Sequence, residues 1–185
     1  MIRRPPRSTL DRSSAASDVY KRQPITEAMH QNILRVGMPE WSENDQRLAR
    51  AVQRMNAVDE RGLLTEVLSA APGRTVIPDD ERRGGGSDDI GDISWTVPTA
   101  SLRFPSNIPG GQGHNWNRAI AMATPIAHKG ATAGAKVHAM TVLDLLLSPS
   151  LVRRSWDYFN NVQTKDRKYV SFLRPEDVPA TWLNA

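Results

Sequence analysis

The sequence contains no cysteine and no long uninterrupted apolar run, and each absence excludes a class of protein. Without cysteine there is neither a disulfide framework nor a thiolate nucleophile, which is typical of a reducing compartment and predicts a cytoplasmic location. A membrane-spanning helix needs roughly 18 or more consecutive apolar residues. The longest apolar stretch, residues 125–147, is interrupted by five charged or imidazole side chains, namely His128, Lys129, Lys136, His138 and Asp144. We therefore expect a soluble protein with no membrane partner.

An excess of one charge sign is also missing once the first 23 residues are set aside. Residues 1–23 carry six Lys or Arg and two Asp, whereas residues 24–185 carry 18 basic and 18 acidic groups. The opening segment, MIRRPPRSTLDRSSAASDVYKRQ, lacks helical or strand periodicity and the apolar centre of a secretory signal. Its Arg- and Ser-rich composition suggests an organelle transit peptide, but it more closely resembles a translated sequencing adapter. We predict an artefactual or disordered segment over 1–23, a folded region over 24–185, and no nucleic-acid partner.

Helical spacing of apolar residues begins directly after this segment. Residues 26–36 are predicted to form a helix that stops at Gly37. Residues 42–55 begin with a capping-box pattern, Ser42 to Asp45, and form a second helix. Its apolar face is predicted to consist of Leu48, Val52 and Met55. Residues 63–68 are expected to form a short helix or a buried segment.

Two further helices are predicted in the second half of the chain. Thr124 followed by Pro125 is a favourable helix start, because a Thr hydroxyl can cap and Pro loses no needed N–H in the first turn. This helix carries a stripe of small residues that suits close packing (Gly130, Ala131, Gly134 and Ala135). The last helix follows Pro149 and presents Val152, Trp156 and Phe159.

The segments between these helices predict loops and one strand. Residues 71–92 and 105–117 are rich in Gly, Pro and polar residues and are predicted to be loops. Residues 99–104, TASLRF, alternate apolar and polar side chains as a half-buried strand does. One strand among several helices is too few for a parallel sheet. We therefore predict the α/β class, with this chain a truncated C-terminal part of the domain that is mostly helical as it stands.

Histidine and aspartate provide the candidates for chemistry. His114 lies in a Gly-rich loop, GGQGHNWN, where a solvated or capping role competes with metal binding. His128 is near the start of a helix, where a partly buried, hydrogen-bonded position competes with a substrate contact. Asp88, Asp89 and Asp92 follow three glycines and are suited either to cation binding or to turn formation. The glycines do not form a phosphate loop, because no P-loop Lys follows and carboxylates repel phosphate.

Two motifs resemble a known enzyme family. Residues 86–95, GSDDIGDISW, match the pattern Gly-Ser-x-Asp-Val-Gly-Asp-Val-Ser-Trp, with isoleucines in place of the valines. The run Ala-His-Lys-Gly appears at residues 127–130. These motifs are similar to the C-terminal part of amidohydrolases related to aminobenzoyl-glutamate utilisation protein B, in the zinc-peptidase superfamily of aminoacylases and glutamate carboxypeptidases. The resemblance extends from residue 24 to the C-terminus.

The resemblance implies a three-layer α/β/α catalytic domain whose two-metal site uses zinc or manganese to cleave an acyl or aminobenzoyl amino-acid amide. His114 matches a metal ligand of the family. Asp89, Asp92, Gly86 and Ser87 match the loop beside the metals, which Ile93 and Trp95 are expected to anchor, and His128 is a candidate substrate contact.

The same resemblance places the general base and the other metal ligands upstream, so no catalytic residue is expected in this chain. We predict a fragment that is inactive alone and whose full-length form is a homo- or hetero-oligomer acting on a small-molecule amide. The alternative from another class is a non-catalytic helical binding or interaction module with a basic N-terminal arm.

Overall fold

The computed structural model describes residues 23–67, 90–102, 104–111, 115–171, 176 and 178. Within these ranges the chain forms six α-helices followed by a π-helical turn. Their bounds are α1 Pro24–Val36, α2 Glu43–Met55, α3 Ile90–Ser94, α4 Trp116–Met122, α5 Pro125–Leu147, α6 Pro149–Tyr158 and the π-turn Phe159–Gln163. The helices predicted at 26–36, 42–55, after Thr124 and after Pro149 are confirmed, whereas α3 and α4 begin at the ends of segments predicted to be loops and extend beyond them.

The described residues contain no β-strand, so the part of the chain that the structure describes is helical, and the α/β/α fold stays a prediction. Of the predicted strand, residues 99–102 and 104 are described, and they are not paired in a sheet. A strand needs a neighbour for its backbone N–H and C=O groups, and no described segment supplies one here. The alternation is nevertheless informative, because Leu102 and Phe104 both pack beside Gly134 on α5.

The starts and stops of the first two helices follow their local sequence signals. At the end of α1, Gly37 adopts φ +70°, which favours glycine, and its N–H donates to the Ile33 carbonyl at 2.8 Å. At the start of α2, the Ser42 Oγ accepts from the Asp45 N–H at 3.2 Å. The Ser42 N–H donates back to Asp45 Oδ2 at 2.8 Å, which completes the predicted capping box.

The face that α2 buries differs from the predicted one. Its buried residues are Asp45, Ala49 and Gln53, whereas Met55 is 75% exposed and Leu48 is 39% exposed. Val52 alone of the predicted apolar face packs against the core. The prediction was wrong because it assumed an apolar partner, while the buried face of α2 contacts the Lys129 ammonium and a buried run of backbone.

That backbone belongs to Gly62 and Leu63, which two glutamines of α2 hold by hydrogen bonds. Gln53 accepts from the Gly62 N–H at 2.8 Å and donates to the Gly62 carbonyl at 3.2 Å. Gln46 accepts from the Leu63 N–H at 2.8 Å and donates to the Leu63 carbonyl at 3.1 Å. The side-chain amides thus replace a neighbouring strand, and Leu63 is buried as expected without forming a helix.

Helix α5 is the central element of the described fold, and it contacts α1, α4 and α6. At about 1.5 Å per residue its 23 residues extend roughly 34 Å. At its N-terminal end Ile126 enters the main apolar cluster, whose other buried members are Ala49, Leu63, Ile108 and Ala121. The Thr124 hydroxyl does not cap the helix as predicted, because it donates to the Ala121 carbonyl at 2.6 Å.

A buried amide joins α1 to the C-terminal third of α5. Asn32 is fully buried, and its Nδ2 donates to Thr141 Oγ1 at 3.2 Å and to Asp144 Oδ2 at 2.7 Å. Arg35 on α1 donates to the Asn32 Oδ1 at 3.3 Å. Because a buried amide without partners is destabilising, these bonds fix the register between the two helices.

The C-terminal end of α5 keeps an exposed apolar row, in which side-chain exposure rises from 53% to 79% (Val142, Leu143, Leu146 and Leu147). No single described helix is long and apolar enough to cross a membrane. Together, α5 and the following residues 149–163 reach that length and composition, but they meet at an angle of 96°.

The predicted small-residue stripe has its greatest effect at Gly130. A Cβ added there would lie 1.8 Å from the Pro105 carbonyl oxygen, whereas one added at Gly134 would meet Phe104 Cβ at 3.2 Å. The α5 backbone therefore touches the backbone of residues 105–106 directly.

We expect Gly130→Ala to lower the free energy of unfolding by at least about 1–3 kcal/mol, because backbone atoms must move to admit the methyl group. Gly134→Ala, one turn later, is the matched control, since a small side-chain shift and better helix propensity offset each other. Urea unfolding of both variants measures the difference. Equal stability of the two variants would contradict the close backbone contact.

Candidate functional site

The described end of the acidic motif is a short helix held by polar contacts. Helix α3 covers Ile90–Ser94, and Asp92 on it is exposed and accepts a hydrogen bond from the Tyr169 hydroxyl at 2.9 Å. The Ser94 carbonyl accepts from Gln163 Nε2 at 2.6 Å in a buried position. The motif is therefore attached to the C-terminal part of the chain at two points.

Apolar anchoring of this motif was predicted at Ile93 and Trp95, and it is wrong for Ile93. Ile93 is 49% exposed, and Trp95 is half-buried. Ser94 between them is 4% exposed. This helix is held by the hydrogen bond from Gln163 to the Ser94 backbone carbonyl. A contact made by a backbone carbonyl cannot be predicted from the residue types in the sequence.

Gln163 reaches the motif because the chain widens into a π-helical turn, Phe159–Gln163, directly after α6. Its side chain is buried and also accepts a hydrogen bond from Gln23, the residue that precedes α1. Gln23 is fully buried, and its backbone carbonyl accepts from the Thr26 and Glu27 N–H groups. One buried amide chain thus links the start of α1, the π-turn and the acidic motif.

The residues expected to be nearest the metals lie outside the described residues. These are Gly86, Ser87, Asp89 and His114. The described neighbours of His114 begin at Asn115, whose Oδ1 accepts from the Asn117 N–H at 3.1 Å and starts α4. Trp116, two residues after His114, is 68% exposed.

The candidate substrate contact, His128, is an exposed residue in the second turn of α5. The partly buried, loop-bonded position considered for it is therefore wrong. Its neighbour Lys129 makes the loop contacts instead, because its Nζ donates to the Glu40 carbonyl at 2.9 Å and to Asp45 Oδ2 at 2.7 Å. His128 thus sits on a turn of helix that Lys129 fixes against α2.

Lys129 was not singled out from the sequence as a structural residue. A cation near a helix N-terminus is disfavoured by the helix dipole, so its position needs compensation. The compensating carboxylate is Asp45, which is 5% exposed and already closes the α2 capping box. The Ser42–Asp45 pattern predicted a carboxylate at the start of α2, but only the tertiary fold brings Lys129 into contact with it.

The pKa of the Asp45 carboxyl lies below its ordinary value of 3.8, mainly because Lys129 donates a hydrogen bond to it. Hydrogen bonds from the Ser42 N–H and hydroxyl lower the pKa further, while burial opposes the shift. The charged form is therefore the one that the folded state prefers.

Among the residues that the structure describes, no group of three or more His, Asp or Glu side chains is placed to hold a metal ion. Asp92 of the acidic motif accepts a hydrogen bond from Tyr169, and Asp45 pairs with Lys129 of the Ala-His-Lys-Gly run. The described residues alone thus do not fit the predicted two-metal site, and His114 lies outside them.

Comparison with known proteins agrees with the family suggested by the motifs. The chain is similar to one of the subunits of the p-aminobenzoyl-glutamate hydrolase of Escherichia coli (strain K12), with 26% identity over 157 residues. The match covers 75% of this chain and 33% of the relative, so the chain spans about a third of that relative's length. No protein-family model and no solved structure matches the chain. The similarity supports a distant relationship to this hydrolase, and the fragment and adapter interpretations stay predictions.

Removing the Gln163 amide tests how the motif is held. We expect Gln163→Ala to lower the free energy of unfolding by about 1–3 kcal/mol, because the Ser94 carbonyl and the Gln23 amide lose a buried partner. Hydrogen exchange at residues 95–97, whose N–H groups bond back into α3, should accelerate more than exchange in α5. Asn161→Ala, at an exposed position of the same turn, is the control. Unchanged exchange at residues 95–97 would show that Gln163 does not hold the motif.

Asp45 predicts an acid-dependent loss of stability. We expect Asp45→Asn to cost about 1–3 kcal/mol near neutral pH, through the lost charged hydrogen bonds and the weaker cap. Because its folded pKa is below 3.8, the carboxylate contributes fully above pH 3.8, and its contribution disappears as the pH falls through the lower folded value. Unfolding curves of wild type and variant should therefore converge in strong acid. Glu43→Gln, at an exposed position of the same turn, is the control. A stability difference between wild type and Asp45→Asn that does not change with pH would contradict the ion pair.

Proposed function

We propose that this chain is the C-terminal region of a metal-dependent amidohydrolase that cleaves the amide bond between an acyl or aminobenzoyl group and an amino acid. The observation that carries the proposal is the 26% identity to the p-aminobenzoyl-glutamate hydrolase chain across 75% of this chain. The acidic motif and the Ala-His-Lys-Gly run lie within the region that the resemblance covers.

The proposal assigns His114 as one ligand of a zinc or manganese site. The remaining ligands and the general base are then supplied by sequence that corresponds to the other two thirds of the relative. Such a metal polarises the amide carbonyl and activates water when it is bound. The described residues contribute scaffolding, since Gln163 and Tyr169 hold the acidic motif and Lys129 holds the turn that carries His128.

Several further features follow from the same proposal. The chain by itself is inactive, because His114, the one metal ligand that the proposal assigns to it, cannot hold two metal ions. The segment 1–23 is an adapter-derived addition that has no role in function. The relative is named as a subunit, and we propose that the complete protein likewise works in the cytoplasm as an oligomer, on a small amide and without nucleic acid.

A chimera tests this function directly. The matching third of the E. coli relative is replaced by residues 24–185 and produced in E. coli, and hydrolysis of p-aminobenzoyl-glutamate is measured. We expect activity from the wild-type chimera. His114→Ala should lower kcat/KM by more than about a hundredfold and lower the bound metal, since losing even an outer-shell partner of a ligand costs roughly 10–100-fold.

His138→Ala is the control, because His138 is an exposed histidine of α5 that the proposal does not use. It should leave both activity and metal content unchanged. A folded chimera that binds metal but does not hydrolyse the substrate would contradict the assignment, and so would full activity of the His114→Ala chimera. In the first case the helical interaction module becomes the better interpretation, and in the second case only the assignment of His114 as a metal ligand fails.

A further inference from the structure

Helix α2 ends in a turn that holds one residue in a strained conformation. Ala57 adopts φ +53°, in the left-handed region that residues with a Cβ rarely occupy. The Ala57 N–H donates to the Arg54 carbonyl at 3.0 Å, and the Val58 N–H donates to the Gln53 carbonyl at 3.1 Å. These two bonds define a Schellman turn, in which glycine usually occupies the position of Ala57. The turn is therefore less favourable with alanine than it would be with glycine.

The strained turn directs its two flanking side chains at two separate parts of the chain. Val58 lies against Gly110, because a Cβ added at Gly110 would lie 2.5 Å from Val58 Cγ2. Asn56 Oδ1 accepts a hydrogen bond at 2.9 Å from Nδ2 of Asn117, in the first turn of α4. The end of α2 thus contacts both the loop of residues 105–111 and the start of α4.

These two parts of the chain lie on either side of His114 in the sequence. The described residues before it end at Gly111, and those after it begin at Asn115. Both ends are also bonded to α4, since the Gly111 carbonyl accepts from Arg118 Nη1 at 2.9 Å and Asn115 Oδ1 accepts from the Asn117 N–H at 3.1 Å. The end of α2 therefore helps to set the position of both ends of the segment that carries His114.

The asparagine pair is poorly suited to a purely structural role. The Asn56 Nδ2 and Asn117 Oδ1 atoms are buried, and no described residue supplies a hydrogen-bond partner for either of them. An unpaired buried polar atom costs more than a neutral hydrogen bond contributes, so an apolar pair of similar shape would suit stability at least as well. Strained backbone and unpaired buried groups are typical of functional sites, where position matters more than stability.

We propose that Asn56, Val58 and Asn117 are positioning residues for His114. The inference rests on the proposed function, in which the His114 imidazole is a ligand, and a side chain in that role must be held within about 0.5 Å of its productive position. The three residues act by fixing the backbone on both sides of His114, without touching the substrate. Changing them should therefore alter the geometry of the site while leaving the imidazole in the chain.

The zinc affinity of the chimera, measured by competition with a chromophoric chelator, tests this role. Asn56→Leu/Asn117→Leu removes both unpaired atoms together with the hydrogen bond. We expect the urea unfolding midpoint to stay equal or rise, because no polar group is left buried without a partner. Zinc affinity should nevertheless fall by at least about tenfold, as it does when an outer-shell partner of a ligand is lost. In the active chimera, kcat should fall more than KM changes.

Two further variants separate the hydrogen bond from the general effect of a substitution. Asn56→Asp keeps an acceptor for Asn117 Nδ2 and should retain more of the zinc affinity than Asn56→Leu does. Asn44→Leu, at an exposed position of α2, is the control and should bind zinc as the wild-type chimera does.

A second readout needs neither metal nor activity. In the 185-residue chain with EDTA, we expect Asn56→Leu to shift the backbone NMR signals of Gly111 and Asn115 and the ring signals of His114. Val58→Ala, which shortens the contact with Gly110, should shift the Gly111 signal too, and it decides the question if the asparagine variants do not fold. Asn44→Leu should leave all of these signals in place.

Unchanged NMR signals overturn the proposal, and so does unchanged zinc affinity of the double variant in a chimera whose wild-type form is active. A loss of zinc affinity that is matched by an equal loss of stability also overturns it, because the pair is then only structural. If the wild-type chimera is inactive, the proposed function fails, whereas the NMR signals still decide whether the end of α2 fixes the segment around His114.

Discussion

Direct contact between two backbones, at Gly130 of α5 and at residues 105–106, determines much of the described fold. Because no side chain separates them, the loop that contains Ile108 lies against α5, and Ile108 joins the apolar cluster beside Ile126. The cleft lined by residues 104–111 and the start of α4 depend on the path of that loop. Adding even one methyl group at Gly130 would separate the two backbones and shift both the cleft and the start of α4.

Buried polar groups select one arrangement of the helices, which the small apolar cluster alone does not do. Four junctions have a buried amide or a partly buried ion pair: Asn32 between α1 and α5, Gln53 between α2 and Gly62, Gln163 at the acidic motif, and Asp45 with Lys129 between α2 and α5. Such groups are costly to bury unpaired, so they tolerate one arrangement and penalise others. The same junctions position the two motifs relative to the core, and the proposed function depends on them for that reason.

The sequence predicted the positions of the helices better than the faces that those helices bury. Caps, prolines and apolar spacing located the four longer helices, since these signals act within one or two turns. The buried face of α2 was mispredicted, because its partners are the Lys129 ammonium and the backbone of residues 62–63, which are distant along the chain or carry no side-chain signal. Helix α4 was missed because seven residues that follow a glycine-rich stretch resemble a loop. For the candidate site, motif resemblance identified the residues, but Lys129 and Gln163 acquire their importance only from tertiary contacts.

The two glutamines that hold Gly62 and Leu63 have a consequence for the chemical ageing of the protein. Each uses its Nε2 group to donate to a backbone carbonyl, and deamidation would replace that nitrogen with a carboxylate oxygen. A charged carboxylate oxygen would then face the backbone carbonyl oxygen. Because neither atom can donate a hydrogen bond, residues 62–63 would be released from α2. Burial of Gln53 keeps water away from its amide, so the fold protects the bond on which it relies. Slow chemical damage should therefore begin at the less buried Gln46 and detach residues 62–63 from that end.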